Sequence, residues 1–385
     1  MSVIFEPILS PYSKKTLPHP IFNPKIENEP IKNSYRINMR KPNVVVVGFG
    51  FAGRCFHAYL VNLTQELNLY GILTSRSEGR EIAKASYKNL KTYACYDDVL
   101  TDTNVDLVVL ATPNDLHANQ AIRAIEYGKH VVTDKPMCLS LAEADAMIEI
   151  SRRHDRLLSV FQNRRWDGDF LTIKQAVSSG MLGKPYLLEL FWGQYGEPSG
   201  WRSQASHGGG KFFDLGAHLV DQVLQLVDTQ AKYVQANFHS PDTWNLDVEA
   251  HATATIIFSN GVEARVETSS LAKSPKPRWR IFGTLGTLTK EGIDPQEQAM
   301  ITGNIDEATE NPQHRAVIHA NTTEPNSEMI IETVPGRWRS FYENIAIAIE
   351  DRNKLEITPE SSRKTMAVIE AARRSASTGE TIELI

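Results

Sequence analysis

A run of apolar residues that ends in a glycine-rich turn constrains the fold of this chain most. Four consecutive valines at residues 44–47 predict a strand buried on both faces. The turn that follows, Gly48-Phe49-Gly50-Phe51-Ala52-Gly53, fits the pattern GxGxxG. In such a turn the first glycine permits the tight bend, the second lets the backbone approach a pyrophosphate, and the third lets the next helix pack on its strand. These residues therefore predict a dinucleotide-binding turn.

Strand and helix patterns alternate between residues 41 and 163, which predicts a doubly wound parallel sheet of the Rossmann type. The expected strands are 44–47, 69–74, 107–111, 130–133 and 157–161, and the clearest helices are 116–127 and 141–153. This segment is the predicted dinucleotide-binding domain.

The pattern changes between residues 164 and 385, where helices at 170–178 and 212–227 precede a series of strands. The strands expected from their period of two are 232–238, 251–258, 262–268 and 278–282, and closing helices are expected at 338–350 and 359–375. Strands without helices between them predict a largely antiparallel sheet. The fold class is therefore α/β, with a Rossmann domain followed by an α+β domain.

Residues 1–40 hold six of the nineteen prolines and show neither helical nor strand periodicity. They are expected to form an extended or disordered N-terminal extension. A dispensable tail and an arm that wraps around a second chain both fit this composition.

Composition limits the class of protein. A chain of 385 residues with 41% apolar and 23% charged residues is long enough for about two domains and is typical of a soluble globular protein. A net charge of −5 argues against a nucleic-acid partner. The sequence has no run of 18 apolar residues that could span a membrane and no secretory leader, so a cytoplasmic location is expected.

The tip of the second expected strand bears on the choice of cofactor. In an NAD-binding unit an acidic residue about 20 positions beyond the glycines binds the ribose hydroxyls. Here the tip reads Thr74-Ser75-Arg76-Ser77, in which Arg76 can pair with a 2′-phosphate and a serine can donate to it. The pattern favours NADP(H) over NAD(H). The alternatives are that Arg76 is a solvated loop residue or that Glu78 lies near the ribose.

Two segments carry groups for proton chemistry. Lys135 follows the strand at 130–133, and the carboxyl ends of parallel strands are where ligands bind, so Lys135 is expected beside the cofactor unless it is a solvated surface charge. Asp214 and His218 are four residues apart in an expected helix and can share one face. They can act on one ligand or form an ordinary surface pair.

A bound metal is not expected. Asp214 and His218 have no third ligand at metal-binding spacing. The three cysteines, Cys55, Cys95 and Cys138, show no CxxC spacing, so neither a zinc cage nor a disulfide framework is indicated, and each is expected to be a small buried side chain.

Four ordered segments, GFGFAG, ATPNDLHA at residues 111–118, VTDKP and GGGKFFDLGAHLVDQ, together resemble the Gfo/Idh/MocA family of oxidoreductases. The resemblance extends from residue 43 to the C-terminus. The segment at residues 159–174 is most similar to the subgroup of NADP-dependent scyllo-inositol dehydrogenases. The resemblance implies a C-terminal domain with a large open sheet through which chains assemble as a homodimer or a higher homo-oligomer.

The resemblance also implies an activity, hydride transfer between NADP(H) and a cyclic polyol or sugar. Lys135, Asp214 and His218 would be catalytic: His218 takes the hydroxyl proton, Lys135 stabilises the alkoxide charge, and Asp214 orients both the hydroxyl and the imidazole. One departure is Asp134, which stands where the family motif has glutamate. A catalytically silent NADP sensor of the same fold is the rival hypothesis, and the presence of all three residues argues against it.

The remaining site residues follow from the same resemblance. The cofactor is expected to contact the glycine turn, Ser75, Arg76, Asp134 and Lys135, and also Thr112, Pro113, Asn114 and His117, although His117 could instead cap its helix. The substrate is expected to contact Asn163, Arg164, Trp166, Asp214 and His218. Arg165 and Asp167 fit substrate contact and a salt bridge between domains equally well.

Overall fold

The computed structural model of the protein describes residues 40–320 and 328–384. The predicted N-terminal extension lies outside these residues, apart from its last position. No helix in the described part of the chain is long and apolar enough to cross a membrane.

The first sheet has six parallel strands in the order β3-β2-β1-β4-β5-β6. Its strands are β1 (Asn43–Val47), β2 (Asn68–Leu73), β3 (Lys91–Tyr93), β4 (Leu107–Leu110), β5 (His130–Thr133) and β6 (Leu158–Val160). The four valines of β1 are completely buried, as expected for a central strand covered on both faces. The predicted Rossmann fold is confirmed, and the order of strands reverses between β1 and β4.

Five helices accompany this sheet. They are α1, which has a π-helical part (Gly53–Ala58) and an α-helical part (Tyr59–Leu63), α2 (Ser77–Ser86), α3 (Tyr96–Thr101), α4 (His117–Glu126) and α5 (Leu141–Arg153). The sequence did not predict β3, which is three residues long with one buried side chain. Such a strand is too short to show a period of two.

The second sheet has nine strands in the order β14-β13-β12-β11-β7-β10-β9-β8-β15. These strands are β7 (Pro185–Gly193), β8 (Ala231–His239), β9 (His251–Phe258), β10 (Glu263–Ser269), β11 (Trp279–Gly283), β12 (Gly286–Lys290), β13 (Ala316–Ala320), β14 (Glu328–Ile331) and β15 (Ile382–Glu383). Only β7 and β10 pair in parallel among the described neighbours, so the predicted antiparallel character is confirmed for the sheet as a whole.

The helices of this half are α6 (Gly168–Ser178), α7, with a π-helical part (Phe212–Gly216) and an α-helical part (Ala217–Leu226), α8 (Gln296–Ile301), α9 (Arg339–Glu350) and α10 (Pro359–Thr378). Helices α7 and α10 pack on one face of the sheet, and α10 also contacts α5 of the Rossmann half. The opposite face carries partly exposed side chains such as Ile257, which is 39% exposed. Pairing of two chains through this open face stays a prediction.

The cysteines only partly follow the sequence. Cys138 is buried as predicted and Cys55 is half-buried, but the prediction is wrong for Cys95, which is exposed. The reason is its position: Cys95 immediately precedes α3, after the edge strand β3 of the first sheet. The three residues remain unpaired thiols.

Candidate active site

The glycine turn lies where β1 and β4 end side by side. Gly48 has a φ of +99°, and a Cβ atom there would lie 2.3 Å from the carbonyl oxygen of Ala111. A Cβ atom on Gly53 would lie 2.0 Å from the carbonyl oxygen of Gly48. The steric roles predicted for these two glycines, a tight bend and close packing of the helix, are confirmed.

Gly50 differs from both, because a Cβ atom on it would meet no heavy atom within 4 Å. Gly50 instead lines a cavity of about 420 Å³ that runs from the turn to the tip of β2 and to the end of β5. The predicted cofactor residues that line this groove are Gly48, Gly50, Phe51, Ala52, Ser75, Arg76, Thr112, Pro113, Asn114, Asp134 and Lys135. Free space beside the backbone of Gly50, between two glycines that have no room for a side chain, fits a bound pyrophosphate.

Two residues predicted to contact the cofactor lie beneath the groove. Phe49 is 7% exposed and packs in the apolar core. His117 is completely buried, and its ring nitrogens lie 2.9 Å from the carbonyl oxygen of Pro136 and 3.1 Å from that of Thr112. The placement predicted for His117 needs correction, since its side chain holds the ends of two strands together behind the groove.

The tip of β2 presents Arg76 at an exposed position immediately before α2. A neighbouring side chain, Arg80, fixes this loop by donating from Nη1 to the carbonyl oxygens of Thr74 and Ser75 at 2.8 and 2.9 Å. Glu78 lies in the first turn of α2 and is not part of the groove lining. The charged side chain at this tip that lines the groove is therefore a cation, Arg76.

A second cavity of about 220 Å³ opens from the end of this groove. Both cavities are lined by Phe51, Ala52, Asp134, Lys135, Arg202 and Asp214, and the second is also lined by Phe56, Phe161, Asn163, Arg164, Trp192, Gln194, Lys211, Leu215, His218 and Glu297. Lys135 at the end of β5 and Asp214 and His218 in α7 thus face one space from two halves of the molecule.

An ion pair joins those two halves. Nζ of Lys135 donates to Oδ1 of Asp214 at 2.9 Å and to its carbonyl oxygen at 2.5 Å, and Nε of Arg202 lies 3.6 Å from Oδ2. Burial opposes ionisation of Asp214, but the charges of Lys135 and Arg202 prevail and lower its pKa to about 2. Asp214 is therefore a carboxylate at neutral pH and holds the Lys135 ammonium in the cavity.

His218 is 6% exposed and stacks on Trp192, with ring centroids 5.9 Å apart. Its Nδ1 is buried and has no hydrogen-bond partner in residues 40–320 and 328–384. Burial and the cations Lys135, Arg164 and Arg278 hold the pKa of His218 well below its usual range. His218 is therefore a neutral imidazole at neutral pH.

The expectation that Asp214 orients the imidazole needs correction. Asp214 is engaged by Lys135 and Arg202, and no hydrogen bond to His218 is present among the described residues. Asp214 lies in the π-helical part of α7, where bonding between residues five apart widens the turn, so residues four apart no longer stack as on an α-helix. Trp192, which showed no sequence motif, takes over the contact with the ring.

Asp134 is supported by a buried pair that the sequence reasoning missed. Its Oδ1 accepts from the backbone N–H of Lys135 at 2.7 Å, and its Oδ2 lies 3.5 Å from Nε2 of His57. Nδ1 of His57 lies 2.7 Å from the hydroxyl of Tyr342. Burial raises the pKa of Asp134, but His57 and Lys135 outweigh it and lower that pKa overall. The shorter side chain at this position is thus kept ionised and fixed.

The polar wall of the second cavity is built on Arg164. Its guanidinium lies 4.3 Å from the ring centroid of Trp192, and it pairs with Asp167 at 3.2 Å and with Glu297. Trp166, in contrast, is 5% exposed and packs edge-on against Phe341 in the core, so its predicted contact with substrate needs correction.

Arg165 and Asp167 left two interpretations open, and both take structural roles. Arg165 forms a bidentate pair with Asp221 at 2.7 and 2.8 Å, and Asp167 accepts from the indole of Trp338 at 2.7 Å. Their partners lie far along the chain, which no local pattern could reveal.

Within the described residues, no group of three acidic, histidine or cysteine side chains could hold a metal ion.

A dinucleotide groove on a Rossmann sheet, joined to a cavity with lysine, aspartate and histidine, defines the class of oxidoreductases with an NAD-binding fold. The family model described as oxidoreductase family, NAD-binding Rossmann fold, matches residues 42–162, and that of the GFO/IDH/MocA C-terminal domain matches residues 170–289. The chain belongs to the Gfo/Idh/MocA family and is an oxidoreductase.

Relatives cover nearly all of the described chain. The scyllo-inositol 2-dehydrogenase (NADP(+)) IolW of Bacillus subtilis is 30% identical over an alignment of 350 residues that covers 89% of this chain and 95% of that protein. The oxidoreductase C115.03 of Schizosaccharomyces pombe is 30% identical over 88% of this chain and 98% of its own length. A solved oxidoreductase structure, YvaA from Bacillus subtilis, superimposes with a TM-score of 0.85 at 28% identity and covers 91% of this chain and 100% of its own.

Proposed function

We propose that the protein transfers a hydride between NADP(H) and a CH–OH or C=O carbon of a cyclic polyol or sugar similar to scyllo-inositol. The observation that carries this proposal is that Lys135 and His218 line one cavity, and that Lys135 also lines the glycine groove from which this cavity opens. The name of the Bacillus subtilis relative, an NADP-dependent scyllo-inositol dehydrogenase, supports the choice of substrate class.

The proton chemistry follows from the charges of the site. A neutral His218 can accept the hydroxyl proton as the carbon loses its hydride, and in the reverse direction it returns that proton. The Lys135 ammonium, held by Asp214, stabilises the negative charge that develops on the substrate oxygen. A nicotinamide ring supplies the hydride acceptor or donor when bound.

The choice of NADP(H) rests on the tip of β2. Arg76 and Ser75 line the end of the groove, and a guanidinium with a neighbouring hydroxyl suits a 2′-phosphate.

A reduction screen tests the proposal. Purified protein is mixed with NADP⁺ or NAD⁺ and a panel of inositol isomers and hexoses, and absorbance at the wavelength of the reduced nicotinamide is followed. We expect turnover with NADP⁺ and at least one of these compounds. The variant His218→Asn should lose on the order of 10²- to 10⁴-fold in kcat, because a general base is removed.

The matched control is His154→Asn, at an exposed position of the first half, which should keep wild-type activity. Titration with NADPH checks that each variant still binds the cofactor. Tight NADPH binding without turnover of any inositol, hexose, hexuronate or hexose phosphate would contradict the proposed reaction and favour a dinucleotide sensor.

A further inference from the structure

Lys211 is a buried cation without a use in the proposed reaction. Its side chain lines the second cavity, the residue is 8% exposed, and no hydrogen bond or ion pair of its ammonium is present among the described residues. Burying an unpaired charge is unfavourable unless a partner of opposite charge arrives. The partner expected here is a ligand in the cavity.

The local backbone explains why the ammonium stays unpaired. The backbone N–H of Lys211 donates to the carbonyl oxygen of Glu249 at 3.2 Å, which makes an acidic residue its neighbour in space. However, Oε1 of Glu249 accepts from the backbone N–H of Phe212 at 2.7 Å. The Glu249 carboxylate therefore accepts a hydrogen bond from the start of α7 and does not pair with Lys211.

The same loop brings a second cation to this wall. The backbone N–H of Gly210 donates to the carbonyl oxygen of Arg202 at 3.1 Å, so the segment before α7 is tied to the turn that carries Arg202. Both Arg202 and Lys211 line the cavity. The side chain of Arg202 is 46% exposed and reaches one carboxylate, that of Asp214, at 3.6 Å.

The other charges of the cavity are matched. Arg164 pairs with Asp167 and Glu297, and Lys135 pairs with Asp214. Asp214 thus pairs with Lys135 and Arg202, and its charge also acts on Lys211, but no ion pair of Lys211 is present among the described residues. Burial lowers the pKa of Lys211; the charge of Asp214 opposes this shift and those of Lys135 and Arg202 add to it, so the pKa stays below its usual value, as expected for an ammonium without an ion-pair partner.

We propose that the substrate carries an oxyanion substituent, a carboxylate or a phosphate ester, which Lys211 binds with Arg202 beside it. The CH–OH carbon of the same molecule then lies between Lys135 and His218. This inference rests on the proposed function and narrows its substrate class from cyclic polyols and sugars in general to those that carry an acidic substituent. The hydroxyls of a neutral sugar can accept a hydrogen bond from Lys211 but cannot balance its charge.

Matched substrates test this assignment. NADP⁺ reduction is measured with a hexose, the corresponding hexuronate and the corresponding hexose 6-phosphate, using the wild type, Lys211→Met and Lys211→Arg. The wild type should prefer at least one anion over the neutral hexose. Lys211→Met should lower kcat/KM for that anion by about 10- to 100-fold more than for the hexose, the range typical of a charge-assisted hydrogen bond. Lys211→Arg should restore part of the loss.

The two anions distinguish a carboxylate site from a phosphate site. The control Lys364→Met, at an exposed position of α10, should change neither preference. Equal losses for the neutral and anionic compounds, or a loss of NADPH affinity in place of substrate affinity, would overturn the proposal.

Calorimetry separates this inference from the proposed function. If no compound is turned over, titration of the NADPH-loaded protein with hexuronate and with hexose 6-phosphate still reports on the anion site. Binding that Lys211→Met abolishes would support the anion site while the proposed reaction fails. Binding of neither anion, or binding that Lys211→Met leaves unchanged, would overturn the proposed anion site.

Discussion

Arg76 lies at the far end of the groove from Lys135, the residue proposed to stabilise the substrate oxygen. It is exposed, and the neighbouring Arg80 holds the loop through the carbonyl oxygens of Thr74 and Ser75. The side chain of Arg76 therefore has no structural duty at this tip in the described part of the chain. Its contribution is expected in cofactor choice and not in folding.

We predict that Arg76→Ala weakens NADP(H) binding by about 10- to 100-fold and NAD(H) binding by less than about 2-fold, because only NADP(H) carries the 2′-phosphate that pairs with a guanidinium. Fluorescence titration of both reduced cofactors measures the two dissociation constants. Lys84→Ala, on the exposed side of α2, is the control. Equal losses for both cofactors would rule out a 2′-phosphate contact.

The sequence predicted those site residues that belong to continuous motifs. Lys135 was found from its position at a strand end, and Asp214 and His218 from their spacing and the resemblance. Trp192 and Arg202 lie in a strand and a loop without a recognisable pattern, and folding alone brings them to the cavity. The lack of an ion pair at Lys211 among the described residues was equally hidden, because pairing depends on distances between segments remote in the chain.

At the scale of elements, the start of α1 depends on two glycines with different surroundings. A Cβ atom on Gly53 would overlap the carbonyl oxygen of Gly48, whereas one on Gly50 would enter open space in the groove. One glycine serves the packing of a helix on its strand. The other leaves room for the ligand.

These surroundings predict opposite phenotypes. Gly53→Ala should lower the free energy of unfolding by about 1–3 kcal/mol or more, because the helix must move away from β1. Gly50→Ala should stay within about 1 kcal/mol of the wild type but bind dinucleotide at least about 10-fold more weakly, because its methyl group occupies the groove. Urea unfolding and cofactor titration measure the two effects. A Gly50→Ala variant as unstable as Gly53→Ala would contradict this division of roles.

Elements were predicted where one clear period dominates. Strands β5 and β9 and helix α5 have the bounds that their patterns indicated. The sequence did not predict β7, at the middle of the second sheet, because its run Leu-Leu-Glu-Leu-Phe-Trp is too uniformly apolar to show alternation. Strands β12 to β15, which are two to five residues long, were also not predicted.

For the whole molecule, stability in acid depends on His130 at the start of β5. Its Nδ1 accepts from the backbone N–H of Leu157 at 2.9 Å, which requires an unprotonated nitrogen. Burial and the charges of Arg156 and Arg352 lower the pKa of His130 to about 4, compared with about 6.5 in the unfolded chain. The unfolded state therefore takes up a proton first as the pH falls.

We predict that this residue removes on the order of 2–3 kcal/mol from the free energy of unfolding between pH 6.5 and pH 4, and nothing above pH 7. Urea unfolding at a series of pH values measures the slope. His130→Gln should flatten the slope in this window, because its amide oxygen can accept a hydrogen bond without titrating, and the exposed His154→Gln should not. Identical slopes for the wild type and His130→Gln would contradict the assignment.

The ion pair between Lys135 and Asp214 connects the end of β5, in the first sheet, with helix α7, which packs on the second sheet. The proposed roles of Lys135, Asp214 and His218 therefore depend on how the two halves are docked, while most of the groove is lined by residues of the Rossmann half. A substitution far from both, such as one at the contact of α5 with α10, can slow turnover and leave dinucleotide affinity intact. Inherited or engineered changes at that contact would then lower the rate of turnover in a protein that still folds and still binds its cofactor.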